Sequence, residues 1–171
     1  LVIRRIICWL ESIQRFIRWI GDLFAWTMPL LMIAIVTLVI LESRVFKIGS
    51  IKLQELQWHL YAMAVMIGLS YALISDSHIR VDAIQHRFSK HTKATIDIFG
   101  IVLLLFPFLI FLFWHSLPYV GRSFAVQERS NSPSGLPWRW LIKSFIPLGC
   151  CLLFLAGLSH VMRCIAVFGK K

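Results

Sequence analysis

The sequence predicts an all-α integral membrane protein, with four transmembrane helices preceded by an amphipathic helix at the membrane interface. The chain is 58% hydrophobic and only 15% charged, with a mean hydropathy of +0.77, whereas soluble domains carry more charge. An α-helix needs roughly 20 apolar residues to cross the hydrocarbon core of a bilayer. Four runs of about that length contain no Asp, Glu, Lys or Arg, at residues 23–41, 56–75, 98–121 and 144–162. Four such runs leave too little polar surface for a soluble fold.

Residues 1–22 form the predicted interfacial helix, which we call the arm. Apolar residues recur every three or four positions, and charged residues fall on the opposite side. Such a helix lies in the plane of the membrane, with its arginines among the lipid phosphates. The alternative is an ordinary surface helix packed on protein. The residues assigned to the membrane-surface contact are Arg4, Arg5, Trp9, Arg15, Arg18 and Trp19.

The whole chain, 1–171, including the arm, reads as one membrane domain, with no repeat and no second domain. The spans are predicted at about 23–42, 53–75, 96–120 and 139–166. The first, third and fourth contain proline, which removes a backbone hydrogen bond and can bend a membrane helix. With the N-terminus cytoplasmic, eleven Lys and Arg residues lie inside and seven outside. The positive-inside rule therefore favours two cytoplasmic termini.

A net charge of +10 does not indicate nucleic acid here, because the basic residues sit in the short connections between spans. Basic stripes interleaved with aromatic residues, and the motifs of nucleic-acid-binding folds, are absent from the sequence. Membrane lipids are the predicted partners of these charges.

Catalysis is not predicted. Cys8, Cys150, Cys151 and Cys164 form no CxxC pair and read as small apolar packing residues. The sequence has no nucleophile and base at a recognisable spacing and no phosphate-binding glycine loop. The centres of the spans are Leu, Ile, Phe, Met and Ala, unlike the polar midplane site of a secondary transporter. The pattern is typical of an anchor or scaffold for another subunit.

Ionisable residues at span borders are candidates for contacts, because burying them in a membrane is costly. Glu55 and His59 are four residues apart and share a helix face. We favour a structural or interface role for this pair over ion transport. His59 and His115 could instead hold a haem, as in a redox membrane anchor. Residues 76–82 can form charge pairs at i, i+4, which fits a self-neutralised helix end and a docking site equally well.

Three local patterns resemble the small membrane subunit (DctQ type) of TRAP transporters, the tripartite ATP-independent periplasmic transporters. They are GSIKLQELQWH at 49–59, DSHIRVD at 76–82, and SPSGLPWRW at 132–140 leading to Lys143 and IPLG at 146–149. Together they cover about half the chain, and the length and number of spans agree. The second pattern is the most specific.

The resemblance implies a non-catalytic subunit of the bacterial inner membrane that braces a large multi-span subunit during sodium-coupled import of small organic anions. It implies no cofactor in this chain, with sodium in the large subunit, and a periplasmic binding protein as third component. The alternatives are a haem-bearing or other accessory anchor and an autonomous small exporter. The large-subunit interface candidates are Glu55, Trp58, His59, Asp76, His78, Arg80, Asp82, Arg139 and Lys143. The binding-protein docking candidates are Arg44, Lys47, Arg122, Glu128 and Arg129.

Overall fold

The computed structural model describes residues 2–46, 50–75 and 89–168, and the side chains of residues 11–45, 50–75, 89, 91–166 and 168. All regular structure in these ranges is helical. The elements are α1 (Val2–Leu41), a π-helical turn (Glu42–Phe46), α2 (Ile51–Ile74), α3 (Lys90–Phe99), a second π-helical turn (Gly100–Leu105), α4 (Phe106–Ala125) and α5 (Arg139–Phe168).

Four helices are long and apolar enough to cross a membrane, which confirms the predicted fold class. They are Glu11–Val45, Ile51–Ile74, His91–Ala125 and Arg139–Ala166. The third consists of α3, the second π-helical turn and α4 in one continuous helix, which we call the third span. At 1.5 Å per residue, a helix of 35 residues is about 50 Å long. The first and third helices therefore extend beyond a hydrocarbon core of about 30 Å.

The helix α1 runs without a break through the predicted boundary between the arm and the first span. Ile17 is only 2% exposed and packs with Leu73, Ile74 and Ala156, while Ile13 lies partly buried against the same cluster. The part of the arm around Ile13 and Ile17 therefore packs on protein, as expected for an ordinary surface helix, which was the alternative to an interfacial helix. Arg15, Arg18 and Trp19 are exposed; the side chains of Arg4, Arg5 and Trp9 lie outside the described ones. Contact of the arm with lipid stays a prediction.

The helices pack in the order α1, α2, α5 and third span, with α5 also touching α1. Each of the three successive contacts has a glycine at a close approach. A Cβ on Gly21 would lie 2.0 Å from Tyr71 Cδ2, one on Gly149 would lie 3.0 Å from Met66 Cβ, and one on Gly157 would lie 2.9 Å from Phe106 Cε1. Small residues let helix backbones approach closely in lipid, where dispersion contacts drive much of the association.

The second π-helical turn ends at Leu105, two residues before Pro107, which has no N–H to donate to the preceding turn. The Phe106 N–H donates instead to the Ile101 carbonyl, five residues back. The wider turn thus keeps a backbone partner for the N–H beside the proline. The irregularity of the third span near Pro107 is a local π-helical turn.

Candidate functional site

The Glu55 carboxylate, on the first turns of α2, holds the α4–α5 loop, residues 126–138. The Leu136 N–H donates to Glu55 Oε2 at 2.7 Å, and the Ser130 hydroxyl donates to Oε1. A Cβ on Gly135 would lie 2.2 Å from Ser130 Cβ and 2.9 Å from Glu55 Oε2, so the loop closes around the carboxylate only with glycine there. One acidic side chain thus ties α2 to a loop some 80 residues later in the sequence.

A second ion-pair cluster joins the same loop to α5. The Lys143 ammonium donates to Glu128 Oε2 and lies 4.1 Å from the centroid of the Tyr119 ring. Arg139 Nη1 lies 3.9 Å from Glu128 Oε1, and the Arg139 N–H donates to the Glu128 carbonyl at 3.1 Å. We call Glu55, Glu128, Ser130, Arg139 and Lys143 the loop clasp, and the end of the bundle that carries it the loop end.

Backbone geometry places Glu128 in the clasp. The helix α4 ends at Ala125, and Gln127 has a φ of 47°, in the left-handed region. The Gln127 N–H donates to the Phe124 carbonyl and the Glu128 N–H to the Ser123 carbonyl, the hydrogen-bond pattern of a Schellman motif. This reversal turns the chain back towards α5, which Trp138, at a φ of 63°, precedes.

The structure brings together residues to which the sequence assigned two separate roles. The interface candidates Glu55, Arg139 and Lys143 meet the docking candidate Glu128 within the loop clasp, so these charges are engaged inside the chain. Other candidates face outwards: Trp58 is 72% exposed, and Arg44, Arg122 and Arg129 are exposed, whereas His59 is half-buried. Contact of any of these residues with a partner stays a prediction. Lys47, Asp76, His78, Arg80 and Asp82 lie outside the described residues.

A second set of polar contacts lies at the opposite end of the bundle, and the sequence reasoning missed it. The Tyr71 hydroxyl donates to Asp22 Oδ1 at 2.7 Å, and Gln14 Nε2 donates to the buried Ser159 hydroxyl. His160 Nε2 lies 3.5 Å from Asp97 Oδ2. One available signal was the spacing of His160 and Cys164, four residues apart on one face of α5.

Between the two ends, polar side chains bond within their own helices. The hydroxyls of Thr27, Thr37 and Ser116 donate to carbonyls three or four residues back, at 2.6–2.8 Å. His115 Nδ1 lies 2.9 Å from the Phe111 carbonyl oxygen, and its ring packs against the Phe111 ring at a tilt of 34°. Over the described ranges, the side-chain hydrogen bonds that join different helices therefore lie at the two ends of the bundle.

Acid is expected to loosen the loop clasp through Glu128. The Lys143 ammonium that donates to this carboxylate, with the nearby positive charge of Arg139, holds the pKa of Glu128 below its ordinary value of 4.5. A carboxyl whose pKa is lowered by folding stabilises the native state above its unfolded pKa, and this contribution is lost as the pH falls through the folded pKa. We expect the melting temperature in detergent to fall as the pH drops below about 4.5.

The loop clasp contains a second carboxylate, Glu55, so the acid response has to be assigned to Glu128 with two variants. Glu128→Gln is expected to have a smaller acid-induced loss of melting temperature than the wild type. Glu11→Gln, at an exposed position on α1, is the control and should keep the wild-type profile. An unchanged profile in Glu128→Gln would contradict this account.

A family model described as tripartite ATP-independent periplasmic transporters, DctQ component, matches residues 32–167. The match runs from the last quarter of α1 to the end of α5 and includes the loop clasp. No curated protein gives a significant match to the sequence.

Proposed function

The chain belongs to the DctQ family, the small membrane components of tripartite ATP-independent periplasmic transporters, and from this premise we propose that it braces the large transport subunit in the bilayer. The finer part of the proposal is that the transporter imports small organic anions with sodium and that the sodium sites lie in the large subunit. This chain would then be non-catalytic, sit in the inner membrane with both termini cytoplasmic, and supply a rigid surface.

The location of its polar contacts is the observation that carries the proposal. Contacts between helices through polar side chains occur at the loop end and at the opposite end, whereas Thr27, Thr37 and Ser116 bond to their own helices. A subunit that moved an ion or a substrate would need polar groups towards mid-membrane. An apolar bundle tied at both ends instead suits a stationary support.

Exposed apolar side chains supply surfaces for this support. Along α1, Trp26 is 76% and Ile33 is 64% exposed, and along the third span Phe108 is 60% and Trp114 is 72% exposed. These two helices lie at opposite ends of the packing order, so the bundle has apolar surface for a subunit contact and for lipid. Close packing of such surfaces is what drives helix association in membranes.

Docking of the binding protein is the second part of the proposal, and basic residues at the loop end support it. Arg44, Arg122 and Arg129 are exposed, while the two carboxylates of the loop clasp, Glu55 and Glu128, already accept hydrogen bonds from groups within the chain. The charge available to a partner at this end is therefore mainly positive and would complement an acidic patch. Charges of this kind act mostly on the rate of encounter.

A pull-down from native membranes in mild detergent, with an affinity tag on this chain, tests the proposal. We expect a much larger, many-spanning protein to be recovered with the chain at equal stoichiometry. The Trp114→Arg variant places a charge on the exposed apolar face of the third span. Compared with the wild type, it tests whether the larger protein binds to that face. Recovery of the wild-type chain alone would contradict the brace.

A further inference from the structure

Three side chains with metal-binding atoms meet where α3 packs against α5, at the end opposite the loop clasp. Asp97 belongs to α3, and His160 and Cys164 belong to α5. Their ligand atoms all lie within 4.8 Å of one another. His160 and Cys164 are 6% and 8% exposed, and the Asp97 side chain is 24% exposed, so the cluster is mostly enclosed but reachable from one side.

The distance between His160 Nε2 and Asp97 Oδ2 is informative. At 3.5 Å it is longer than hydrogen bonds of this type usually are. Two ligand atoms of one zinc ion, each about 2.05 Å from the metal, subtend roughly 117° when they are 3.5 Å apart, close to a tetrahedral angle. A tetrahedral site with one sulfur needs ligand separations of roughly 3.3–3.6 Å, which side-chain shifts of about 1 Å would produce from the present cluster.

The chemistry of the donors selects the class of metal. One thiolate, one imidazole and one carboxylate form a borderline-soft set that suits zinc and similar divalent transition metals rather than magnesium or calcium. The two negative charges would neutralise a divalent cation, so the occupied site would place no net charge among apolar helices. We propose that Asp97, His160 and Cys164 bind a divalent transition metal of the zinc type, with a fourth position open to water, and that the ion ties α3 to α5.

Cobalt(II) is the probe that tests the site, because a thiolate–cobalt bond absorbs in the near ultraviolet. The full chain is purified in detergent through a tag without histidine and titrated with Co²⁺ alone. We expect one Co²⁺ per chain, the thiolate charge-transfer band, visible bands of a four-coordinate ion, and loss of these signals when Zn²⁺ displaces cobalt.

Matched variants assign the signal to these residues. Cys164→Ser is expected to lose the thiolate band. Cys151→Ser should keep it, because Cys151 is exposed and lies 13 residues away on α5, about 20 Å along the helix. Asp97→Asn, which keeps the shape of the side chain, is expected to weaken Co²⁺ binding at least about tenfold. Zn²⁺ should raise the melting temperature of the wild type and leave that of Cys164→Ser unchanged.

Each contrary result is decisive when circular dichroism and elution show folded protein. No Co²⁺ bound to the folded wild type, or an unchanged thiolate band in Cys164→Ser, would overturn the site and leave a contact between α3 and α5 made by protein groups alone. If Cys164→Ser does not fold, Asp97→Asn decides, and wild-type affinity in that variant would overturn the proposal.

Discussion

Gly21→Ala is expected to separate α1 from α2 and to destabilise the bundle by about 1–3 kcal/mol, the usual cost of overpacking. The new methyl group would lie 2.0 Å from Cδ2, 2.6 Å from Cγ and 2.8 Å from Cβ of Tyr71. Rotation of the ring can relieve the first contact, but the Cβ position is fixed by the backbone of α2. The helices must therefore move apart, and the bond from the Tyr71 hydroxyl to Asp22, 2.7 Å long, would be strained or lost.

The chain offers a matched control for this change. Gly68 lies in α2, and a Cβ there would meet no atom within 4 Å. Gly68→Ala should be neutral or stabilise the helix by up to about 1 kcal/mol, because alanine is the better helix former. The measurement is the melting temperature of both variants in the same detergent. Equal melting temperatures for Gly21→Ala and the wild type would contradict the close approach.

A double-mutant cycle locates the effect at the contact. In the Tyr71→Ala background the ring atoms are gone, so Gly21→Ala should cost less than it does in the wild type. An equal cost in both backgrounds would mean that the loss comes from α1 itself rather than from its packing on α2.

The spans were predictable because the membrane imposes a requirement on local sequence. Each crossing needs a continuous apolar run, and such runs can be read without knowing what packs against them. Gly21 shows the limit. The sequence shows that a small residue is present, but only the fold shows that Tyr71, 50 positions later, occupies the space beside it. The same limit applies to Gly149 and Met66.

The arm illustrates an ambiguity that local sequence does not resolve. A stripe of apolar residues has the same period whether it faces lipid or another helix. Ile13 and Ile17 are four positions apart and share the apolar face of the arm, which the interfacial interpretation turns towards lipid, yet they pack on Leu73, Ile74 and Ala156. The periodicity predicted the helix correctly and left the identity of the buried surface open.

The polar candidates were identified by the cost of burying charge, which is a local argument, whereas their partners were not predictable. Glu55 and Lys143 were singled out as residues in need of contacts. The structure supplies contacts within the chain, from Ser130, Leu136 and Glu128, and a contact of either residue with another subunit stays a prediction. The segment around residue 133 is rich in Ser, Pro and Gly, which favour turns, but turn composition does not reveal that the loop folds around a carboxylate from α2.

Glu55→Ala is expected to release the α4–α5 loop and to slow transport without altering which substrate is imported. The change removes the acceptor for both the Leu136 N–H and the Ser130 hydroxyl, and a backbone donor left unpaired is costly. Trypsin should then cleave after Arg129, which is exposed in the loop, several-fold faster than in the wild type. Gln54→Ala, at the exposed neighbouring position on α2, is the control and should be cleaved at the wild-type rate.

The effect of Glu55→Ala on function is measured as uptake by the reconstituted three-component transporter. If the loop end carries the docking surface, faster cleavage and slower uptake should occur together, with an unchanged substrate profile, since the role proposed for this chain is to brace the large subunit rather than to select the substrate. Faster cleavage with normal uptake would show that the loop is not part of the docking surface, and it would not contradict the proposed brace. A changed substrate profile would contradict the proposed brace itself, because a stationary support would not contact the substrate.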